Sequence, residues 1–219
     1  MSGTLERERE RVAAAARRLA ADRWVAGTAG NVSARAGDLV AVTPTGAWLE
    51  DVAPEQVAVV DLAGEQVDGE LAPSSELGLH LGIYRRREAG AVVHGHPRFA
   101  TALGCVIDEL PVVHYQMLCL GGAVRVAPYA TFGTPELAEL TLEALEGRSA
   151  ALMANHGAIV YGADLDTALH QALLLEWSCE LYWRACAIGT PRTLGRSEQL
   201  AFVETVSRRG YGITRRSEP

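Results

Sequence analysis

The chain is 219 residues long, 48% hydrophobic and 21% charged, which rules out disorder and, at roughly 100–200 residues per domain, allows one large domain or two small ones. Its 20 cations face 27 acidic residues for a formal charge of −7, and every cation is arginine, so Schiff-base, P-loop and kinase-type lysine chemistries are closed. The acidic balance argues against a nucleic-acid surface, and no apolar run approaches the ~20 residues that span a bilayer.

Met1–Arg11 is polar and lacks the cationic-then-apolar order of a secretory signal. Thr4–Ala26 carries apolar residues at helical intervals (Leu5, Val12, Ala16, Leu19) and predicts an amphipathic helix. After GTAGN (Gly27–Asn31), the segments Val32–Arg35, Leu39–Val42 and Val57–Asp61 predict a strand meander turning at Gly37-Asp38 and Ala63-Gly64. Ser75–Glu88 predicts a helix, Ala91–His96 a buried strand, and Pro97–Leu103 a short helix opened by its proline. Strands are expected near Pro111–His114, Ala123–Val126 and Ala151–Asn155, the last resuming at Ala158–Tyr161. Thr134–Glu146 predicts a helix with Pro135 in first position, Asp164–Ile188 the longest helix with Asp164 as N-cap, and Ser197–Arg208 a last helix before a basic tail. Helices and mostly antiparallel strands alternate irregularly, without a βαβ rhythm, which favours one layered α/β domain. Cys105, Cys119, Cys179 and Cys186 show no CxxC spacing, and the last two share a helical face. They read as reduced, mostly buried thiols of a cytoplasmic protein.

The chemistry concentrates in the histidines. In AVVHGHP, His94 and His96 stand at i and i+2 of a strand end, so both rings project to one face. That geometry suits two ligands of one metal; the alternative is a pair of strand-end imidazoles with no ligand. His156, in ANHGAI, is a turn residue or a third ligand. Glu76, in PSSE, is either a dipole-complementing helix residue or a fourth ligand, and three imidazoles with a carboxylate suit zinc or a similar divalent cation. Three segments could cradle an anion: the glycines of GTAGN, the turn of VTPTG, and Ser74 and Ser75 at a helix N-terminus, whose alternative is an ordinary N-cap.

GTAGNVS, TPTG, PSSE, AVVHGHP, the HY of VVHYQM, APYATFGT and NHG stand in the order carried by the class II aldolase/adducin-head family, and the chain resembles that family over about residues 5–212. APYATFGT with HY is most similar to its L-fuculose-1-phosphate aldolase members. The resemblance implies a single α/β domain over residues 1–219, a central, mainly antiparallel β-sheet flanked by α-helices, assembled as a homotetramer with sites between subunits. It implies Zn2+, or another divalent metal, on His94, His96 and His156, with Glu76 as fourth ligand. Gly30, Asn31, Thr45, Gly46, Ser74 and Ser75 would hold the phosphate of a sugar substrate. Tyr115 would reach a neighbouring subunit's site as proton donor, and Tyr211, in RRGYGI, matches a C-terminal aromatic that closes the site.

The implied activity is that of a zinc-dependent aldehyde-lyase of carbohydrate metabolism. It would cleave a ketose 1-phosphate such as L-fuculose 1-phosphate to dihydroxyacetone phosphate and an aldehyde, with Glu76 and Tyr115 as the catalytic pair. The composition agrees: with no lysine to form an iminium, a divalent metal is the available electrophile. A methylthioribulose-phosphate dehydratase or a deoxypentulose-phosphate aldolase would share the ligands. A ribulose-phosphate 4-epimerase would carry an acidic residue within His114–Gly122, and HYQMLCLGG has none. A non-catalytic adducin-head-like interaction module would be expected to lose the ligand set, which here is complete. His80, one turn after Glu76, either orients it or is an ordinary partly buried imidazole. His114, if on a strand, faces away from Tyr115 and reads as structural, His170 as packing or subunit contact, and Arg85–Arg87 as a solvated helix end.

Overall fold

The computed structural model describes residues 2–209. The chain runs α1 (Ser2–Ala21), β1 (Asn31–Ala36), β2 (Leu39–Val42), β3 (Ala58–Asp61), β4 (Gln66–Asp68), α2 (Leu77–Arg86), β5 (Ala91–Gly95), α3 (Arg98–Gly104), β6 (Glu109–Leu110), a 3-10 helix (Tyr115–Leu120), β7 (Val124–Ala127), α4 (Pro135–Ala144), β8 (Ala150–Met153), β9 (Gly157–Gly162), α5 (Leu165–Ile188) and α6 (Arg196–Arg209). The strands form one sheet in the order β4-β3-β2-β1-β5-β9-β8-β7-β6, antiparallel except where β7 meets β8.

Strand alternation divides the core into two layers. Val32, Ala34, Ala41, Ala91, Val93, Leu152, Ala158 and Val160 face one way, onto α1, α3 and α5. Val40, Val42, Val92, Ala151, Met153 and Ile159 face the other way, onto α2 and α4. Strands β5, β8 and β9 are therefore apolar along their length save at His94, as strands covered on both faces must be.

The structure corrects the sequence reading at several places. The first helix stops at Ala21 because Arg23 takes a left-handed backbone (φ 60), which swings Trp24 into the core to donate from Nε1 to the Ala172 carbonyl at 3.1 Å. Pro111–His114 is not a strand: β6 is only Glu109–Leu110, Pro111 has no N–H to extend the ladder, and His114 instead caps the 3-10 helix by accepting from the Gln116 N–H. Strand β4 escapes pattern reading because its three residues are exposed and lie at the sheet edge. The thiols are not mostly buried: Cys179 alone is, while Cys105, Cys119 and Cys186 are exposed. Cys186 shares a helix with Cys179, but lies near the end of α5, where Ile188 is 91% exposed and the helix has left the sheet.

Candidate metal centre

The parity of β5 that buries Val92 under α2 sends His94 to the same face, and β1 sets Asn31 directly opposite His94. His156 arrives from the β8–β9 turn, where Asn155 adopts a left-handed backbone (φ 53). Gly157 follows because a Cβ there would stand 2.6 Å from His96 Cδ2 and 2.3 Å from the Gly95 carbonyl. Glu76 is the N-cap residue of α2 rather than part of its first turn, and its side chain makes no capping bond. It turns instead toward the imidazoles.

The three rings stand 4.9–5.2 Å apart, edge to face. Their coordinating nitrogens all lie within 4.8 Å of one another. The Glu76 carboxylate adjoins two of them, with Oε2 3.2 Å from His94 Nε2 and Oε1 3.3 Å from His156 Nε2. His94 Nδ1 lies 3.0 Å from the Ala158 carbonyl. A carbonyl only accepts, so Nδ1 carries the proton and Nε2 presents a lone pair to the cluster. His94 Nε2, His96 Nε2 and Glu76 Oε1 are buried without a hydrogen-bond partner. Buried polar atoms are rarely left so, and convergent lone pairs of three imidazoles and a carboxylate fit a divalent cation.

Electrostatics supports that state of the donors. Burial opposes the Glu76 charge, but the adjoining His156 and His94 rings, with the Asn31 amide, overcome it and hold the carboxyl far below its usual range. Burial, then the neighbouring His94 and His156, push His96 down to about 4, so the ring is an unprotonated ligand at neutral pH.

A cavity of about 320 Å³ opens over the cluster, and Glu76, His96 and His156 share its wall with Gly30, Asn31, Thr45, Gly46, Ser74 and Ser75. Two loops are drawn together to make it: Ser74 N–H donates to the Thr43 carbonyl and Thr45 N–H to the Ala72 carbonyl, each at 3.1 Å. Gly30 holds φ +114, and a Cβ there would meet Val25 at 2.6 Å. No arginine is among the described residues lining this cavity, so an anion there would be met by hydroxyls and backbone N–H groups beside the start of α2. The Asn31 side chain, however, is committed inward, donating to Glu76 Oε2 at 2.9 Å and accepting from His80 at 2.5 Å. His80 therefore bears on Glu76 through Asn31, not directly.

Tyr129, Phe132 and Asn155 also line the cavity. Tyr129 and Phe132 fall inside APYATFGT and Asn155 inside NHG, where residue type and spacing alone assign them no role. Tyr115 does not line it: its ring packs on His114 (4.3 Å) and Phe202 (5.0 Å). His114 and Tyr115 thus lie side by side rather than on opposite faces of a strand. Tyr211 and the basic tail lie outside the described residues.

The family model for the class II aldolase and adducin N-terminal domain matches residues 10–183. A 5-deoxy-D-ribulose 1-phosphate aldolase of Bacillus thuringiensis serovar kurstaki is 37% identical over 95% of this chain and 98% of its own. A 5-methylthioribulose-1-phosphate/5-deoxyribulose-1-phosphate aldolase of Rhodospirillum rubrum is 42% identical over 81% of each. A solved L-fuculose 1-phosphate aldolase superposes with a TM-score of 0.87 at 34% identity, over 91% of this chain and 96% of that one.

Proposed function

The chain belongs to the class II aldolase and adducin N-terminal domain family, and from that premise we propose that it is a metal-dependent aldolase cleaving a ketose 1-phosphate to dihydroxyacetone phosphate and a short aldehyde. The observation that carries the reading is the shared cavity, which places Glu76, His96 and His156 of the cluster beside the serine, threonine and glycine loops suited to a phosphate. A 5-deoxypentulose 1-phosphate is the first substrate to test, because two relatives are named for that chemistry. L-Fuculose 1-phosphate, named for the structural neighbour, is the second.

His94, His96 and His156 would hold the cation, zinc or a similar divalent metal, with Glu76 as fourth ligand in the resting site. When bound, the metal supplies the positive charge that polarises a carbonyl and stabilises the enediolate left by carbon–carbon cleavage. Gly30, Thr45, Gly46, Ser74 and Ser75 would hold the phosphate and so fix the reacting carbons over Glu76, with Asn31 only at the rim because its amide is bonded to Glu76 and His80. In condensation Glu76 removes a proton from C3 of dihydroxyacetone phosphate, and the Tyr115 hydroxyl of a neighbouring subunit gives its proton to the aldehyde oxygen; cleavage reverses both transfers. The phenol, with an ordinary pKa near ~10, requires its phenolate to be stabilised in that site. The exposed faces of Tyr129 and Phe132 suit the apolar end of the aldehyde. Tyr211 would close the site, and an assembly of subunits, which the resemblance gives as four, would complete it.

The test measures dihydroxyacetone phosphate released from both ketose phosphates, before and after chelation and metal restoration. The expected result is release that a chelator abolishes and a divalent metal restores. Dehydration or epimerisation products in its place would support a different enzyme of the superfamily. Absence of bound metal, with His96→Ala without effect, would support a non-catalytic interaction module.

A further inference from the structure

Four buried polar side chains that the proposed reaction leaves unused, or uses only at the rim, run in one line away from Glu76 between α2 and the sheet. The Tyr84 hydroxyl lies 2.7 Å from Ser33 Oγ, Ser33 Oγ 2.6 Å from His80 Nδ1, His80 Nε2 2.5 Å from Asn31 Oδ1, and Asn31 Nδ2 2.9 Å from Glu76 Oε2. Ser33 and His80 are fully buried, Tyr84 and Asn31 nearly so. The line alternates strand and helix because the periods match. Residues i and i+2 on β1 are about 6.8 Å apart, residues i and i+4 on α2 about 6 Å. Asn31 and Ser33 therefore interleave with Glu76, His80 and Tyr84.

The direction of every bond follows from its acceptor end. A carboxylate only accepts, so Asn31 must turn its N–H group to Glu76 and its carbonyl to His80. That carbonyl also only accepts, so His80 must carry its proton on Nε2. Burial, with His94 nearby, keeps the ring neutral, its pKa pushed down to about 3, which leaves Nδ1 as an acceptor for the Ser33 hydroxyl. Ser33 in turn accepts from Tyr84. All donors point at Oε2, whereas Oε1, 3.3 Å from His156, has no hydrogen-bond partner.

We propose that His80 is a positioning residue, locked as the Nε2–H tautomer, which fixes the Asn31 amide so that Glu76 is held by Oε2 and handles the substrate proton with Oε1. With the other tautomer a ring lone pair would face the Asn31 carbonyl, the amide would flip, and two oxygens would oppose each other at Glu76. The inference rests on the reading of Glu76 as the acid–base group.

The test begins with the tautomer, read from long-range 1H–15N correlations of the full chain at neutral pH and assigned by the signals lost in His80→Gln. A protonated Nε2 with bare Nδ1 is expected; the opposite tautomer or an imidazolium would overturn the proposal. Dihydroxyacetone phosphate release then separates position from fold. His80→Leu should lower kcat about 10–100-fold with little change in KM, the range typical of groups that orient a ligand. His80→Gln, whose amide can donate to Asn31 and accept from Ser33, should recover most of that loss. Equal losses in both variants, or none in either, would overturn the assignment. Glu76→Gln keeps the two failures apart: if it is inactive while His80→Leu is unimpaired, only the positioning role falls, and if it is fully active the acid–base reading falls with it.

Discussion

Burial holds His80 at a pKa of about 3, against an ordinary value near 6.5 in an unfolded chain. Between those values the unfolded chain binds a proton that the folded chain refuses. The sign follows: stability is full above about 6.5 and is lost as pH falls toward 3, by up to about 1.4 kcal/mol per pH unit from this one ring. Half-buried His96, held near 4, acts in the same direction, so the comparison must isolate His80. Urea unfolding of the metal-free protein at pH 7, 6 and 5 should show a steeper loss in the wild type than in His80→Gln, by about that amount per unit. Equal slopes would mean that the ring is not buried neutral. HGH, NHG and SSE were legible as chemistry because each places a donor at a turn or strand end. Ser33 and Tyr84 were not, since a serine on a strand and a tyrosine on a helix are ordinary alone. Their signal was E-x3-H-x3-Y, a polar stripe at helical spacing along a stretch of α2 that is otherwise apolar up to Arg85, read against N-x-S on β1.

Helix α3 begins immediately after His96 and Pro97, and its N-terminal N–H groups are met from another element. Glu76 is not that partner. Glu176 on α5 accepts from Phe99 N–H and Ala100 N–H, both at 2.9 Å, where a carboxylate also complements the helix dipole. Burial raises the Glu176 pKa despite those bonds, so the pair of acceptors is retained against a desolvation penalty. Glu176→Ala should lower unfolding stability by about 1–3 kcal/mol by leaving both donors without an acceptor. Glu176→Gln, which keeps one acceptor oxygen, should lie between. Because α3 anchors the chain leaving His96, the alanine variant should also bind metal more weakly in a competition titration with a chromogenic chelator; unchanged stability and affinity would deny this coupling. Long elements with caps, such as α5 behind Asp164 and α4 behind Thr134, were legible because cap and periodicity agree. The 3-10 helix was not, because VVHY reads as a strand until the proline in front of it and the His114 cap are weighed together. The crossover from β7 through α4 to β8 was hidden for a related reason: parallel pairing is a property of the sheet, and neither short strand announces its partner.

At the scale of the whole molecule, the rings that flank Tyr115 need an account. His114 packs edge-on against Trp177 at 4.8 Å, Phe99 lies 5.5 Å from Trp183, and Trp177 and Trp183 are 42% and 49% exposed. Exposed aromatic surface of this kind is what subunit contacts bury. Tyr115 lies among these rings and outside the cavity of its own chain, so if it donates a proton to substrate, the substrate belongs to another copy. That arrangement makes a prediction no single chain can satisfy. Glu76→Gln and Tyr115→Phe should each be nearly inactive as pure proteins. After co-refolding or subunit exchange in equal amounts, random assembly across a head-to-tail interface would pair intact Glu76 with intact Tyr115 at about one quarter of sites. Dihydroxyacetone phosphate release should therefore rise to about a quarter of the wild-type rate in the mixture and stay low in either parent. If Tyr115 served its own chain's site, every subunit would lack one of the two groups however it was assembled. Mixing would then restore nothing, and the shared-site reading would fail while the metal cluster and its cavity stood unchanged.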